Sequence, residues 1–205
     1  MTEDRFTARS PEDISRLILD HPLAWVVGGE SGHFPATLLP IRAVTGPDGV
    51  VRDLVGHFAR SNPQVEALKR APRALFLFLG PHGYVSPSWM SDRTQAPTWN
   101  YASAQFVADV EFVDTPEATE GLLRDLVQAM EAGRQNAWSL EAMGPRYERL
   151  SRGVIGFRAR VAQTRARFKL GQDERPDVFA DILAGLDHGG DGSLANWMRA
   201  FATIT

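Results

Sequence analysis

Cysteine is absent from this 205-residue chain. Its absence excludes a disulfide framework, a thiolate nucleophile and a thiolate metal site, and it fits a reducing, cytoplasmic setting. Long apolar runs are absent as well. The best, Ala74 to Leu79, is strand-sized, far short of the roughly 20 residues that span a bilayer. The start, Met1-Thr2-Glu3-Asp4-Arg5, lacks the basic and then apolar pattern of a secretion signal. Positive charge is in short supply: 22 Lys and Arg stand against 25 Asp and Glu, for a net charge of −3 and a pI near 6.0. A domain that grips duplex DNA by itself presents a basic face to the phosphates. With neither that face nor a helix-turn-helix pattern, direct DNA binding is not expected. Walker loops, dinucleotide fingerprints and nucleophile elbows are missing too. His57 and His82 are separated by a strand and have no acidic cluster near them, so no metal site is expected.

What is present is an ordinary globular composition, 43% apolar and 23% charged. Ser10-Pro11-Glu12-Asp13 opens a helix that His21-Pro22 stops. Strands follow at Leu23 to Val27, His33 to Arg42 and Val50 to His57. The turns between them are Gly28 to Gly32 and Thr45 to Gly49. A short helix runs from Asn62-Pro63 to Arg70, and Arg73 to Leu79 reads as a buried strand. Gly80 to Tyr101 is rich in Pro, Ser, Gly and aromatics and reads as a long functional loop. Gln105 to Val113 is a strand. Thr115-Pro116 opens the longest helix, with Leu122, Leu123, Leu126, Val127 and Met130 facing inward. A helix near Pro145 to Ser151 and a strand from Gly153 to Val161 follow. The cations from Arg158 to Lys169 read as a solvated strand edge and loop. Pro176 to Leu186 forms a helix. After a break at Gly189-Gly190, a helical tail around Trp197, Met198 and Phe201 packs on the barrel or on a partner. The chain thus divides into a domain over residues 1–188 and a tail over 189–205. Antiparallel hairpins with inserted helices give an α+β, barrel-like fold.

Two segments offer chemistry. Gly56-His57-Phe58-Ala59-Arg60-Ser61-Asn62-Pro63 leaves a strand and enters a helix. Its arginine, hydroxyl and amide suit a phosphate, or simply a helix cap. Gly80-Pro81-His82-Gly83-Tyr84-Val85-Ser86-Pro87-Ser88-Trp89, with Pro97-Thr98-Trp99-Asn100-Tyr101, suits the stacking of a flat heteroaromatic ring, or else loop aromatics packed on the barrel.

At these residues the sequence resembles the PaiB-like FMN-binding negative transcriptional regulators. The resemblance also rests on Ala36-Thr37-Leu38-Leu39-Pro40, Gly153-Val154-Ile155-Gly156-Phe157 and Phe168-Lys169-Leu170-Gly171-Gln172-Asp173. It implies a split β-barrel of the pyridoxamine-phosphate-oxidase type, a homodimer holding FMN at the subunit interface. On that resemblance Arg60, Ser61 and Asn62 grip the flavin phosphate. The ring lies along the strand of Thr37 and Leu38, near His57 and His82, with Trp99, Asn100 and Tyr101 meeting it, from the other subunit if need be. Lys169 and Gln172 belong to a signature without an assigned role. Leu38, Gln105 and Gly171 depart from the family's usual histidine, histidine and serine. The resemblance favours an FMN-binding regulator. The alternatives are a flavin-dependent reductase or oxidase, a barrel holding another planar group such as haem, and a directly DNA-binding repressor.

Overall fold

The protein was analysed as a computed structural model, described for residues 5–28 and 34–202. The N-terminal Met1 to Asp4, the expected turn residues 29–32 and the expected strand start at His33 lie outside the described residues. Seven strands form one antiparallel sheet: β1 (Leu23–Gly28), β2 (Ala36–Pro40), β3 (Arg42–Thr45), β4 (Val51–Ala59), β5 (Arg73–Val85), β6 (Thr98–Val113) and β7 (Val154–Lys169). Their order is β2-β1-β5-β6-β7-β4-β3. The first and last strands of that order, β2 and β3, are consecutive in the chain and are joined by Ile41 alone. A sheet whose edges are tied by one residue has to curl until they meet, which makes it a barrel. Ile41 is buried, and its N–H donates to Pro22 O at 2.8 Å. The α+β split-barrel expectation holds.

Alternation along the strands fills the barrel with Phe58, Phe76, Phe78, Phe106 and Phe157, all buried. Their rings meet tilted or edge-on, as aromatic quadrupoles favour: Phe58 and Phe157 at 5.3 Å, Phe78 and Phe106 at 5.7 Å. Helix α1 (Pro11–Asp20) drives Leu17 and Ile18 into one mouth. A Cβ on Gly80 would lie 2.2 Å from Leu17 Cδ1, so only glycine admits the helix there. Helix α2 (Gln64–Arg70) places Val65 and Leu68 at the other mouth, with Leu68 against Gly28. Helix α3 (Pro116–Glu131) starts at Thr115, whose hydroxyl accepts from Ala118 N, and lies on the outer face over β4 and β7. The remaining helices are α4 (Arg146–Ser151), α5 (Pro176–Gly189) and α6 (Gly192–Ala202).

Several expected boundaries move. The long loop shrinks to residues 86–97, because β5 continues through Gly80 to Val85 and β6 begins at Thr98. Only a single 3-10 turn, Pro87–Trp89, remains inside it. Likewise β7 runs to Lys169 rather than stopping at Val161, so the basic stretch is strand, not edge and loop. The expected strand from His33 to Arg42 is broken at Ile41 into β2 and β3. On α3, Leu126 is buried, while Leu122, Leu123, Val127 and Met130 are only partly covered.

Candidate functional site

Past the barrel, β5, β6 and β7 continue as a three-stranded extension. Residues directly opposite each other on neighbouring strands share a face. The register pairs Trp99 with Tyr84 and Tyr101 with both His82 and Lys169, so these five side chains lie on one outer face. Tyr84 and Trp99 meet edge-to-face at 6.0 Å. The next rungs add Leu79, Ser103 and Arg167, then Leu77, Gln105 and Arg165. Leu77 pairs in turn with Trp25, and Trp25 with Leu38. Trp25 is 50%, Trp99 53% and Leu79 54% exposed. Scattered apolar residues on a surface are ordinary, but a contiguous bare patch marks a binding surface.

The polar groups of this face are set by local geometry. His82 Nδ1 lies 2.9 Å from Gly80 O. A carbonyl only accepts, so in the neutral ring Nδ1 carries the proton and Nε2 is left as an acceptor. Lys169 Nζ donates to Thr98 Oγ1. Arg167 lies 4.8 Å over the Phe6 ring. Gln172 ties the turn after β7, accepting from Leu170 N and donating to Phe168 O, and Gly171 takes a positive φ of 85° there. The serine usual at that place in the family would meet strain at such a φ.

Asn100 parts company with its neighbours. It points to the inner face and is 1% exposed; its Nδ2 donates to Met198 Sδ at 3.6 Å, and its Oδ1 has no partner.

The strand-to-helix corner closes on itself. Asn62 Oδ1 accepts from Gln64 N at 2.9 Å, Asn62 O accepts from Val65 N, and Asn62 N donates to Ala59 O. Asn62 Nδ2 donates to Thr37 Oγ1 at 3.0 Å, and Thr37 Oγ1 donates to Gln64 Oε1 at 2.6 Å. Gln64, 1% exposed, donates from Nε2 to Val26 O and Pro35 O. The amide thus staples α2 to β1 and to the residue just before β2. Arg60 turns away from this network. Its guanidinium donates to Val154 O at 3.0 Å and Arg152 O at 3.3 Å, and pairs with Asp114 at 2.6 Å. It lines a separate cavity of ≈ 360 Å³ with Thr119, Tyr147 and Ser151. Ser61 is exposed beside the corner.

His57 pairs with Gly156. A Cβ on Gly156 would meet Leu122 of α3 at 3.2 Å, so both residues lie beneath that helix. Burial pushes the imidazole pKa down, and Nδ1 is without a partner.

The residues singled out from sequence therefore fall into five places. Leu38, His82, Trp99 and Tyr101 share the bare face. Thr37 and Asn62 form the corner network. Arg60 lines the α3 cavity, Ser61 is exposed beside the corner, and His57 and Asn100 sit under different helices. Reasoning from sequence missed Arg165 and Gln64. Alternation through Arg165, Arg167 and Lys169 was the signal for the first, legible only once β7 is known to continue. A glutamine opening a helix ordinarily faces water, so spacing gives no sign that Gln64 turns inward.

Relatives agree with this architecture. Residues 1–163 match the family described as "Putative FMN-binding domain". The chain is 28% identical over 184 residues to protease synthase and sporulation protein PAI 2 of Bacillus subtilis, covering 89% of this chain and 87% of that one. Among solved structures, the fold recurs in the flavocytochrome Anf3 from Azotobacter vinelandii, with a TM-score of 0.62 at 14% identity over 82% of this chain and 71% of that one. It recurs also in an FAD and heme binding protein from Mycobacterium smegmatis, with a TM-score of 0.58 at 21% identity over 87% and 78%. At such identities these two likenesses speak for the fold. The chain belongs to the FMN-binding domain family, as a PaiB-like split β-barrel, and the cofactor of that family is FMN.

Proposed function

We propose that this chain is an FMN-dependent regulatory protein that holds its flavin on the bare sheet face, between two copies of itself. The carrying observation is the composition of that face. An apolar strip (Trp25, Leu38, Leu77, Leu79) adjoins an aromatic row (Tyr84, Trp99, Tyr101), which adjoins cations on β7 (Arg165, Lys169). FMN needs a flat apolar surface for its ring and donors for its phosphate, and this donor set fits both requirements. In this reading Trp99 and Tyr101 carry the ring. Lys169 and Arg165 hold the phosphate, and His82 Nε2 accepts from the ring's polar edge. The apolar strip beyond the flavin is covered by the second copy, since water excluded there stabilises association.

Bound FMN supplies a ring that takes up or releases electrons. What the chain's own residues contribute is binding. The rows from Leu75 to Tyr84 and from Trp99 to Val107 contain no carboxylate to orient a proton-transferring histidine. The regulatory reading follows the family resemblance; His82 and Tyr101 on the same face keep a reductase or oxidase as the second reading, which bleaching with NADH or NADPH decides.

The sequence-based assignment of the phosphate to Arg60, Ser61 and Asn62 competes with this one, and FMN titration of two variants separates them. Lys169→Ala is expected to weaken binding and Arg60→Ala to leave it unchanged; the reverse result would move the phosphate to the corner. An absorbance spectrum of the purified protein with and without FMN is the accompanying test. A saturable flavin spectrum that does not bleach with NADH or NADPH is expected. Rapid bleaching would make the protein a reductase, and a Soret band would make the ligand haem.

A further inference from the structure

We propose that α6 is the backing of the flavin face, so that flavin occupancy and docking of this helix stabilise each other. The inference rests on FMN lying on the outer face of β5, β6 and β7.

Each face residue on the extension alternates with an inner residue held by the C-terminal helices. Between Trp99 and Tyr101, Asn100 is buried against Met198. Between His82 and Tyr84, a Cβ on Gly83 would come within 2.9 Å of Leu194. Next to Lys169, Phe168 stacks on Phe201 at 5.2 Å and on Trp197 at 6.1 Å. The pairing of β5 with β1 ends at Phe78, and that of β7 with β4 ends at Arg160. Beyond those points the barrel strands no longer flank them; Phe168 N donates to Phe6 O at 2.7 Å along the free edge of β7, and α6 packs on their inner side.

The helix is itself held at defined points. Arg9 donates to Ala200 O at 3.0 Å and Phe201 O at 3.3 Å, and lies 3.7 Å over the Phe201 ring. Arg16 lies 4.6 Å over Trp197. Against these, Asn100 Oδ1 is buried without a partner, and its Nδ2 has only a thioether acceptor, so this contact opposes docking. Fixing the strand ends from one side lowers the entropic cost of fixing them from the other, and the coupling is reciprocal by linkage.

The test uses the full chain. Hydrogen exchange of α6 amides is followed with and without saturating FMN, with α3 as internal reference. FMN is expected to slow exchange in α6 by about tenfold, within the usual range of coupling between sites, and in α3 much less. Arg9→Gln and Phe201→Ala, which loosen α6 without touching the face, are expected to weaken FMN binding by a similar factor. Should Phe201→Ala fail to fold, Arg9→Gln and the exchange experiment on the unaltered protein still decide. Unchanged α6 exchange, or equal slowing in α3 and α6, overturns the proposal. If instead Lys169→Ala and Trp99→Ala bind FMN like the unaltered protein, the flavin lies elsewhere. That result removes the site reading first and the role of α6 with it.

Discussion

The outer face of the sheet has two halves that share strands yet differ in chemistry. Over β4 and the start of β7, α3 covers His57 and Gly156, and the exposed cations that follow have acids beside them. Arg158 pairs with Asp53 at 3.3 Å and sits across from Glu111, while Arg160 sits across from Asp53 and Asp109. On the second half of the same strand, Arg165 and Lys169 face Gln105 and Tyr101, and the neighbouring rungs are aromatic and bare. One strand thus carries cations beside acids in its first half and cations opposite neutral residues in its second. The difference teaches that charge count along a segment is a poor guide to function. What matters is whether the structure has already provided the counter-charge and the cover.

The largest expected effect breaks the bare half. Trp25→Asp or Leu77→Asp puts a charge in the middle of the apolar strip and is expected to leave a folded monomer, seen by sedimentation equilibrium with an unchanged circular dichroism spectrum. A protein that is monomeric before substitution, or dimeric after it, would remove this strip as the subunit interface. Next in size is the contrast in stability. Leu126→Ala, on the buried side of α3, is expected to cost about 2–5 kcal/mol in urea unfolding, whereas Leu79→Ala, on the bare half, should cost no more than about 0.5 kcal/mol in dilute monomer. Similar losses at the two positions would mean that the halves are equally covered.

The third contrast is electrostatic. Lys169→Ala is expected to lower FMN affinity about tenfold or more, as losing a charged hydrogen bond does, with Arg158→Ala close to the unaltered protein in the same fluorescence titration. The smallest effect concerns pH. Burial lowers the pKa of His57 in the folded state, so the unfolded chain takes up its proton first. Stability is therefore full above the unfolded pKa, about 6.5, and falls as pH drops below it. His21 shifts in the same direction, also chiefly by burial. His57→Gln is expected to flatten the decline of Tm between about pH 7 and pH 5, and an unchanged slope would show that His57 does not carry it.

Much of the fold was legible in the sequence. Pro11 with its acids marked α1, Thr115-Pro116 marked α3, and alternating apolar residues marked the barrel strands. The extension was not. Gly80, Pro81 and Gly83 read as loop residues because a strand of that composition has little to bury. It is a strand here because Leu17 needs Gly80 and Leu194 needs Gly83, neither of which local spacing reveals. The candidate site was legible as a set of residues and not as an arrangement. Trp99, Asn100 and Tyr101 are adjacent in sequence, but alternation sends the middle one to the opposite face.

Composition alone therefore determined that this chain has no thiol chemistry, no apolar run able to span a bilayer and no overall basic character, and its motifs determined the family. Among the described residues, likewise, no helix is long and apolar enough to cross a membrane. The tertiary structure alone decided which arginines are neutralised, that Arg60 is spent on Asp114 and two carbonyls, and that the aromatic row is bare on one side and backed by α6 on the other. The physical reason is that identity and local spacing are properties of neighbouring residues in the chain. Exposure, counter-charge and cover depend on residues far apart in sequence, Asp53 from Arg158 and Arg9 from Phe201, which only the folded chain brings into contact.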